Sequence, residues 1–275
     1  MHQVRSRVLF LFALVMIPFL GLVGPASTQD SGDAVTVYAS DELVGGASLA
    51  EWHARNWQWA ISMPEEANPN FDPTGEKCGY GQFGPVFFLP AQYVEADPEA
   101  APEGYHCIAP EGVALFVTVG GAGCTTVEPP PYFGRDEAEL TACAAEIANG
   151  ISNFEATING QPVPDLEQYR TVTPLFPMLF GQDNFYGVEP SVALSVADGY
   201  TFIIAPPPPG DYEITIAVMF EGDETVYTAT QLITVVAPVV IEPEPEASPV
   251  AMINSEDLWN FCPPFELGTI TSTAC

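Results

Sequence analysis

Two hydrophobic periods divide the chain. Between residues 48 and 63, Leu49, Trp52, Asn56, Trp59 and Ala60 fall on one helical face, with Trp57 on its flank. Ser48 followed by Glu51 has the capping-box spacing, and Pro64 supplies a stop, so a helix is predicted over 48–63. A second helix is predicted over 136–148. Its apolar residues Ala138, Leu140, Ala144, Ala145, Ile147 and Ala148 are mostly small, which suits close packing on a sheet, and Asn149-Gly150 ends it.

From Ile151 onward the period becomes two. Phe154, Ala156 and Ile158 alternate with Glu155 and Thr157, and Asn159-Gly160 signals a tight turn. Ser191–Val196 and Tyr200–Ala205 are further predicted strands. Tyr212, Ile214, Ile216, Val218 and Phe220 share one face of another, and Val226–Val236 returns after the polar turn 221–224 to make a hairpin. Upstream, Val35–Tyr38, Val86–Leu89 and Ala114–Val119 are apolar runs of strand length, while 64–85 and 95–112 read as loops. Tyr212 follows Pro-Gly-Asp, the place of the corner tyrosine in β-sandwiches. The pattern predicts a mainly β fold over 29–236: a disulfide-stapled antiparallel β-sandwich, Ig-like or jelly-roll-like, with two packed α-helices. Residues 237–250 interleave Pro and Glu as a linker, and 251–275 form a short Cys-containing C-terminal tail.

The first 28 residues change the setting. Arg5 and Arg7 precede an apolar run from Val8 to Gly24, and small residues follow at Ala26 and Ser27, as in a secretory signal peptide. An uncleaved anchor is the alternative reading of that run. Export leads to an oxidising space, so Cys78, Cys107, Cys124, Cys143, Cys262 and Cys275 are predicted to form disulfides. Proximity in sequence suggests 78–107, 124–143 and 262–275. A zinc site is disfavoured, because no CxxC occurs and only His53 and His106 follow the signal.

Composition excludes partners more than it names them. The chain has 36 acidic residues against 6 Lys and Arg, for a net charge of −30. Cleavage would remove Arg5, Arg7 and no acid, taking the charge to about −32. Such a chain offers no basic patch for nucleic acid and is repelled by an anionic membrane surface.

Catalytic motifs are missing: there is no GxSxG, no HExxH, no P-loop and no GxGxxG opening a helix. A Cys–His site would need His106 beside Cys107, which a disulfide would silence. Paired carboxylates are the remaining catalytic option, with Asp72, Glu76, Asp183 and Glu189 near aromatics. Asn68, Asn70, Asp72, Thr74 and Glu76 form an alternating oxygen series of the kind calcium prefers, although Pro73 and Gly79 break the EF-hand pattern. Asx turns explain the same residues without an ion. Trp57, Trp59, Asp72, Glu76 and His106 together mark a ligand surface, while the spacing of the tryptophans equally suits a core. No cofactor is expected, with calcium as the one ion the series admits.

The segment Trp57-Gln-Trp59, then Asp72-Pro-Thr-Gly75-Glu-Lys-Cys78, then Gln82-Phe-Gly84-Pro85-Val86-Phe-Phe-Leu89 resembles a family of exported bacterial proteins with no established activity. The likeness runs on through His106-Cys107, Cys124, Cys143 and Ala197-Asp-Gly-Tyr200. It implies a shared fold and an exported location and carries over no catalytic residue. The expected function is therefore a non-enzymatic extracellular or cell-envelope binding or structural module, with glycan or protein as ligand. A carbohydrate-active hydrolase and a calcium-dependent adhesion module are the alternatives.

Overall fold

The computed structural model describes residues 35–90, 94–95, 106–222 and 225–238. The expected signal segment, most of the expected linker, the tail and the expected Cys262–Cys275 pair lie outside them.

Helix α1 (Leu49–Ser62) begins where its capping box predicts. The Glu51 N–H donates to Ser48 Oγ at 3.3 Å, and the Ser48 N–H donates back to the Glu51 carboxylate at 2.8 Å. The helix buries Leu49, Trp52 and Trp59. Phe88 packs against both indoles and against Phe116, with ring centroids 5.6–6.1 Å apart. A fully buried Phe of this kind contributes about 1.5–3 kcal/mol. Helix α2 (Glu137–Asn149) is capped by Asp136 and buries Leu140, Ala144 and Ala148.

The strands are β1 (Val86–Phe88), β2 (Val94–Glu95), β3 (His106–Pro110), β4 (Ala114–Thr125), β5 (Ile151–Ile158), β6 (Gln161–Pro162), β7 (Arg170–Val172), β8 (Phe176–Phe180), β9 (Ser191–Ile204), β10 (Gly210–Phe220) and β11 (Tyr227–Val236). One sheet has the order β1-β4-β9-β7, with β8 also paired to β9. The other runs β2-β11-β10-β5-β6, with β3 also on β11. Val117, Phe202 and Ile204 of the first sheet share a core with Ile158, Ile214, Ile216 and Ile233 of the second. Both helices pack on the first sheet: α2 lies on β4 and β9, and α1 on β8 and β9.

Four expectations need correction. The sheets are mixed rather than antiparallel, because β1 runs parallel to β4 and β3 parallel to β11. Part of the segment read as surface loop, His106–Pro110, is strand β3. Its alternation of exposed His106, buried Cys107, exposed Ile108 and buried Ala109 is strand-like, but five residues ending in Pro are too short to stand out. The predicted strands 191–196 and 200–205 are one strand, β9, running through Asp198-Gly199. Val35–Tyr38 contributes a single bridge, Val37 to Ile204.

Two disulfides, Cys78–Cys107 and Cys124–Cys143, close as sequence proximity suggests. The first ties the loop after α1 to β3, and the second ties α2 to β4. Tyr212 Oη donates to the Pro208 carbonyl at 2.7 Å, four residues upstream. Among the described residues no helix is long and apolar enough to cross a membrane.

Candidate functional site

A run of glycines leaves β4 bare where α1 crosses it. Gly121 and Gly199 meet across the β4–β9 ladder, beside a register shift between Thr118 and Gly120. A Cβ on Gly121 would lie 2.8 Å from the Asp198 carbonyl oxygen. A Cβ on Gly199 would lie 2.6 Å from the Gly120 carbonyl oxygen and from Gly121 Cα. The Trp57 indole lies over Gly123, where an added Cβ would be 3.5 Å from three ring atoms. Beside these glycines a groove lies between β4 and α1, with Thr118 and Ala122 as the side chains that β4 presents to it.

The groove has two parts, which share Trp57, Gly121 and Tyr186 in their linings. One, a cavity of about 300 Å³, is lined by Asn56 and Trp57 of α1, by Asn70 and Phe71, by Thr118, and by Phe185 and Tyr186. The other, of about 520 Å³, adds Glu128, Tyr132, Ile147 and Phe220. The aromatic wall is itself stacked. Phe71 meets Phe185 edge-on at 4.9 Å, and the Phe185 and Tyr186 centroids are 4.1 Å apart.

Trp57 is held from behind. Its Nε1–H donates to His53 Nε2 at 3.0 Å, so His53 carries its proton on Nδ1, 3.2 Å from Thr171 Oγ1. His53 is 1% exposed. Burial lowers its pKa to about 4 against the opposing pull of the Asp198 charge and Thr171, and the ring is neutral at neutral pH. Asp198, equally buried, accepts two hydrogen bonds from the Arg170 guanidinium at 2.8 and 2.9 Å.

Glu128 is the acid of the groove. It is 6% exposed, and its N–H donates to Thr125 Oγ1 at 3.0 Å. Burial raises its carboxyl to about 7, with the Thr125 hydroxyl pulling the other way. Burial, then the neighbouring Glu128 and Tyr132, push the Tyr186 phenol well above its ordinary value.

The residues singled out in the sequence divide sharply. Trp57 lines both parts of the groove. Trp59 is a core residue whose Nε1–H donates to the Tyr80 carbonyl at 2.9 Å. Asp72 is buried and organises a turn: its Oδ1 accepts from the Thr74 N–H and hydroxyl, and its Oδ2 accepts from the Lys77 N–H at 2.7 Å. Burial works to raise its carboxyl, but these hydrogen bonds prevail and hold it low. Asn68 is buried, accepts from Asn70 and donates to the Ala60 carbonyl at 2.6 Å. Asn68 and Asp72 thus form Asx turns with Asn70 and Thr74, and among the described residues no group of three or more His, Cys, Asp or Glu is set to hold a metal. Glu76, Asp183 and Glu189 are exposed, and neither they nor Asp72 line the groove. His106 is exposed, with Nε2 2.6 Å from Thr234 Oγ1, and its neighbour Cys107 is disulfide-bonded.

Glu128, Tyr132 and Tyr186 escape a reading of the sequence. The one local signal for Glu128 is its place in an apolar setting, between Val127 and three consecutive prolines. No family model, curated protein or solved structure matches the chain.

Proposed function

We propose that this chain is an exported, non-enzymatic binding module of the bacterial envelope or its surroundings, with its ligand in the groove between α1 and β4. The carrying observation is the groove itself. Aromatic walls at Trp57, Phe71, Phe185 and Tyr186 face a bare glycine floor, with the amides of Asn56 and Asn70 beside them. Aromatic faces stack on the apolar faces of sugar rings while amides and hydroxyls bond their edges, so a glycan is the ligand class that fits. Disulfides suit an extracytoplasmic location, as does the reading of residues 1–28 as a signal peptide. The shared core of two sheets and the Tyr212–Pro208 bond support an Ig-like or jelly-roll-like sandwich as the scaffold. The likeness to exported bacterial proteins belongs to the same reading.

A glycan array probed with residues 29–275 tests it. Saturable binding is expected, weakened at least tenfold in Trp57→Ala with the circular dichroism spectrum unchanged. Failure to bind any glycan, or equal binding by the variant, overturns the assignment.

Glu128 favours a second reading, a carbohydrate hydrolase with this residue as general acid. Such enzymes need a second carboxylate roughly 5–10 Å away. Among the described residues lining the groove Glu128 is the one acid, which is why binding ranks first. Release of reducing sugar from an array-positive glycan, lost in Glu128→Gln, would reverse the order.

A further inference from the structure

Glu128 poses a problem of charge balance. A carboxylate held away from water needs a cation or must give up its charge. The described part of the chain holds four basic side chains, and each is engaged elsewhere. Arg55 lies over the Trp52 ring, 4.4 Å from its centroid. Lys77 Nζ donates to the Glu66 carbonyl at 2.6 Å. Arg135 is paired with Glu139, and Arg170 with Asp198. The two remaining bases of the sequence, Arg5 and Arg7, belong to the expected signal segment.

The surroundings of Glu128 are aromatic. Trp57, Tyr132, Tyr186 and Phe220 line the same cavity of about 520 Å³, within the range of roughly 300–1,000 Å³ typical of small-molecule sites. Ring faces around a carboxylate attract an organic cation through the ring quadrupoles, and a quaternary ammonium is the cation that gives up water most readily. An acidic molecule of net charge −30 also raises the local concentration of cations.

We propose that the Glu128 end of the groove is a binding site for an organic ammonium ion, with Trp57, Tyr132 and Tyr186 as the cage and Glu128 as the counter-charge. This deepens the assignment of the groove as the ligand site and rests on it. The ammonium headgroup sits against the rings and the carboxylate, and the rest of the ligand extends over Gly121 toward Phe71. Binding a cation beside a carboxyl whose pKa is about 7 expels its proton, so affinity rises with pH through that range. The titratable groups among the described residues facing Glu128 are the phenols of Tyr132 and Tyr186, of which burial pushes Tyr186 well above its ordinary value, while α1, α2 and β10 present uncharged Trp57, Ile147 and Phe220. His53 lies behind Trp57 and stays neutral above its pKa of about 4.

The test is calorimetric titration of residues 29–275 with choline and with 3,3-dimethylbutan-1-ol, the uncharged molecule of the same shape, at constant ionic strength. The expected result is saturable choline binding at least tenfold tighter than the alcohol, strengthening from pH 6 to pH 8. Glu128→Gln should lose the preference and the pH dependence while still melting cooperatively and no earlier than wild type, and Tyr132→Ala should weaken choline at least fivefold. Equal binding of the two probes overturns the cation site, as does no binding of choline at pH 8. If the array still finds a glycan whose binding needs Trp57, the cation site alone has failed. If it does not, the assignment of the groove has failed with it.

Discussion

His53 and Glu128 are both buried, and their titrations tilt stability in opposite directions. The folded pKa of His53 is depressed to about 4, so the folded chain resists a proton that the unfolded chain accepts near 6.5. Its contribution is present above pH 6.5 and is lost as the pH falls toward 4, at about 3 kcal/mol in all. The folded pKa of Glu128 is raised to about 7, so its contribution is present below pH 4.5 and is lost as the pH climbs through 7. The two slopes largely cancel between pH 4.5 and 6.5. Glu128→Gln removes one of them. The variant should match wild type near pH 4.5 and exceed it by about 2–3 kcal/mol at pH 7.5 in urea unfolding. A difference independent of pH would refute the burial argument for Glu128.

At the scale of elements, the contact of β4 with β9 depends on the absence of two Cβ atoms. Gly199→Ala places a methyl 2.6 Å from backbone atoms of Gly120 and Gly121, which have no flexible end to yield. The strands must part, so a loss above about 2 kcal/mol and a fall in melting temperature are expected. Gly79→Ala is the control, because nothing lies within 4 Å of its added Cβ. The same contact explains what a reader of the sequence sees and misses. The capping box at Ser48 is a local signal, complete within four residues, and α1 starts where it predicts, while α2 starts within one residue of the predicted range. Asp198-Gly199 reads locally as a break, because glycine weakens a strand interior, and only the facing Gly120-Gly121 makes it a continuous strand. The groove was hidden for the same reason. Trp57, Glu128 and Tyr186 are far apart in the chain and are joined by β4 and its partners, whereas Asn68 and Asp72 of the conspicuous series bond to their own turn. The parallel pairs β1–β4 and β3–β11 are likewise invisible to a two-residue period, which fixes the face of a strand but not its direction.

At the scale of the whole molecule, the excess of acids has few local remedies. The described residues contain two ion pairs: Arg135–Glu139 is exposed and of little worth, and Arg170–Asp198 is anchored on a buried carboxylate. The remaining carboxylates repel one another across distances that salt shortens, since the screening length falls from about 30 Å at 0.01 M to about 3 Å at 1 M. Raising sodium chloride from 10 to 500 mM should therefore raise the melting temperature by several degrees, with most of the gain below 150 mM. An unchanged midpoint would mean that the acids are spaced too widely to matter.

The position of β11 has a mechanical consequence. It lies between β10 and β3, antiparallel to one and parallel to the other, and the Pro-rich segment leads away from its end at Val236. Consider tension applied at Val236 along the strand axis. Both ladders are then loaded in shear, with many rungs sharing the force at once, instead of being peeled one rung at a time. Cys107, in the middle of β3, is fastened through Cys78 to the loop after α1, so the load passes on to the layer that carries the groove. A pull on the end of β11 would in this way leave the groove in shape.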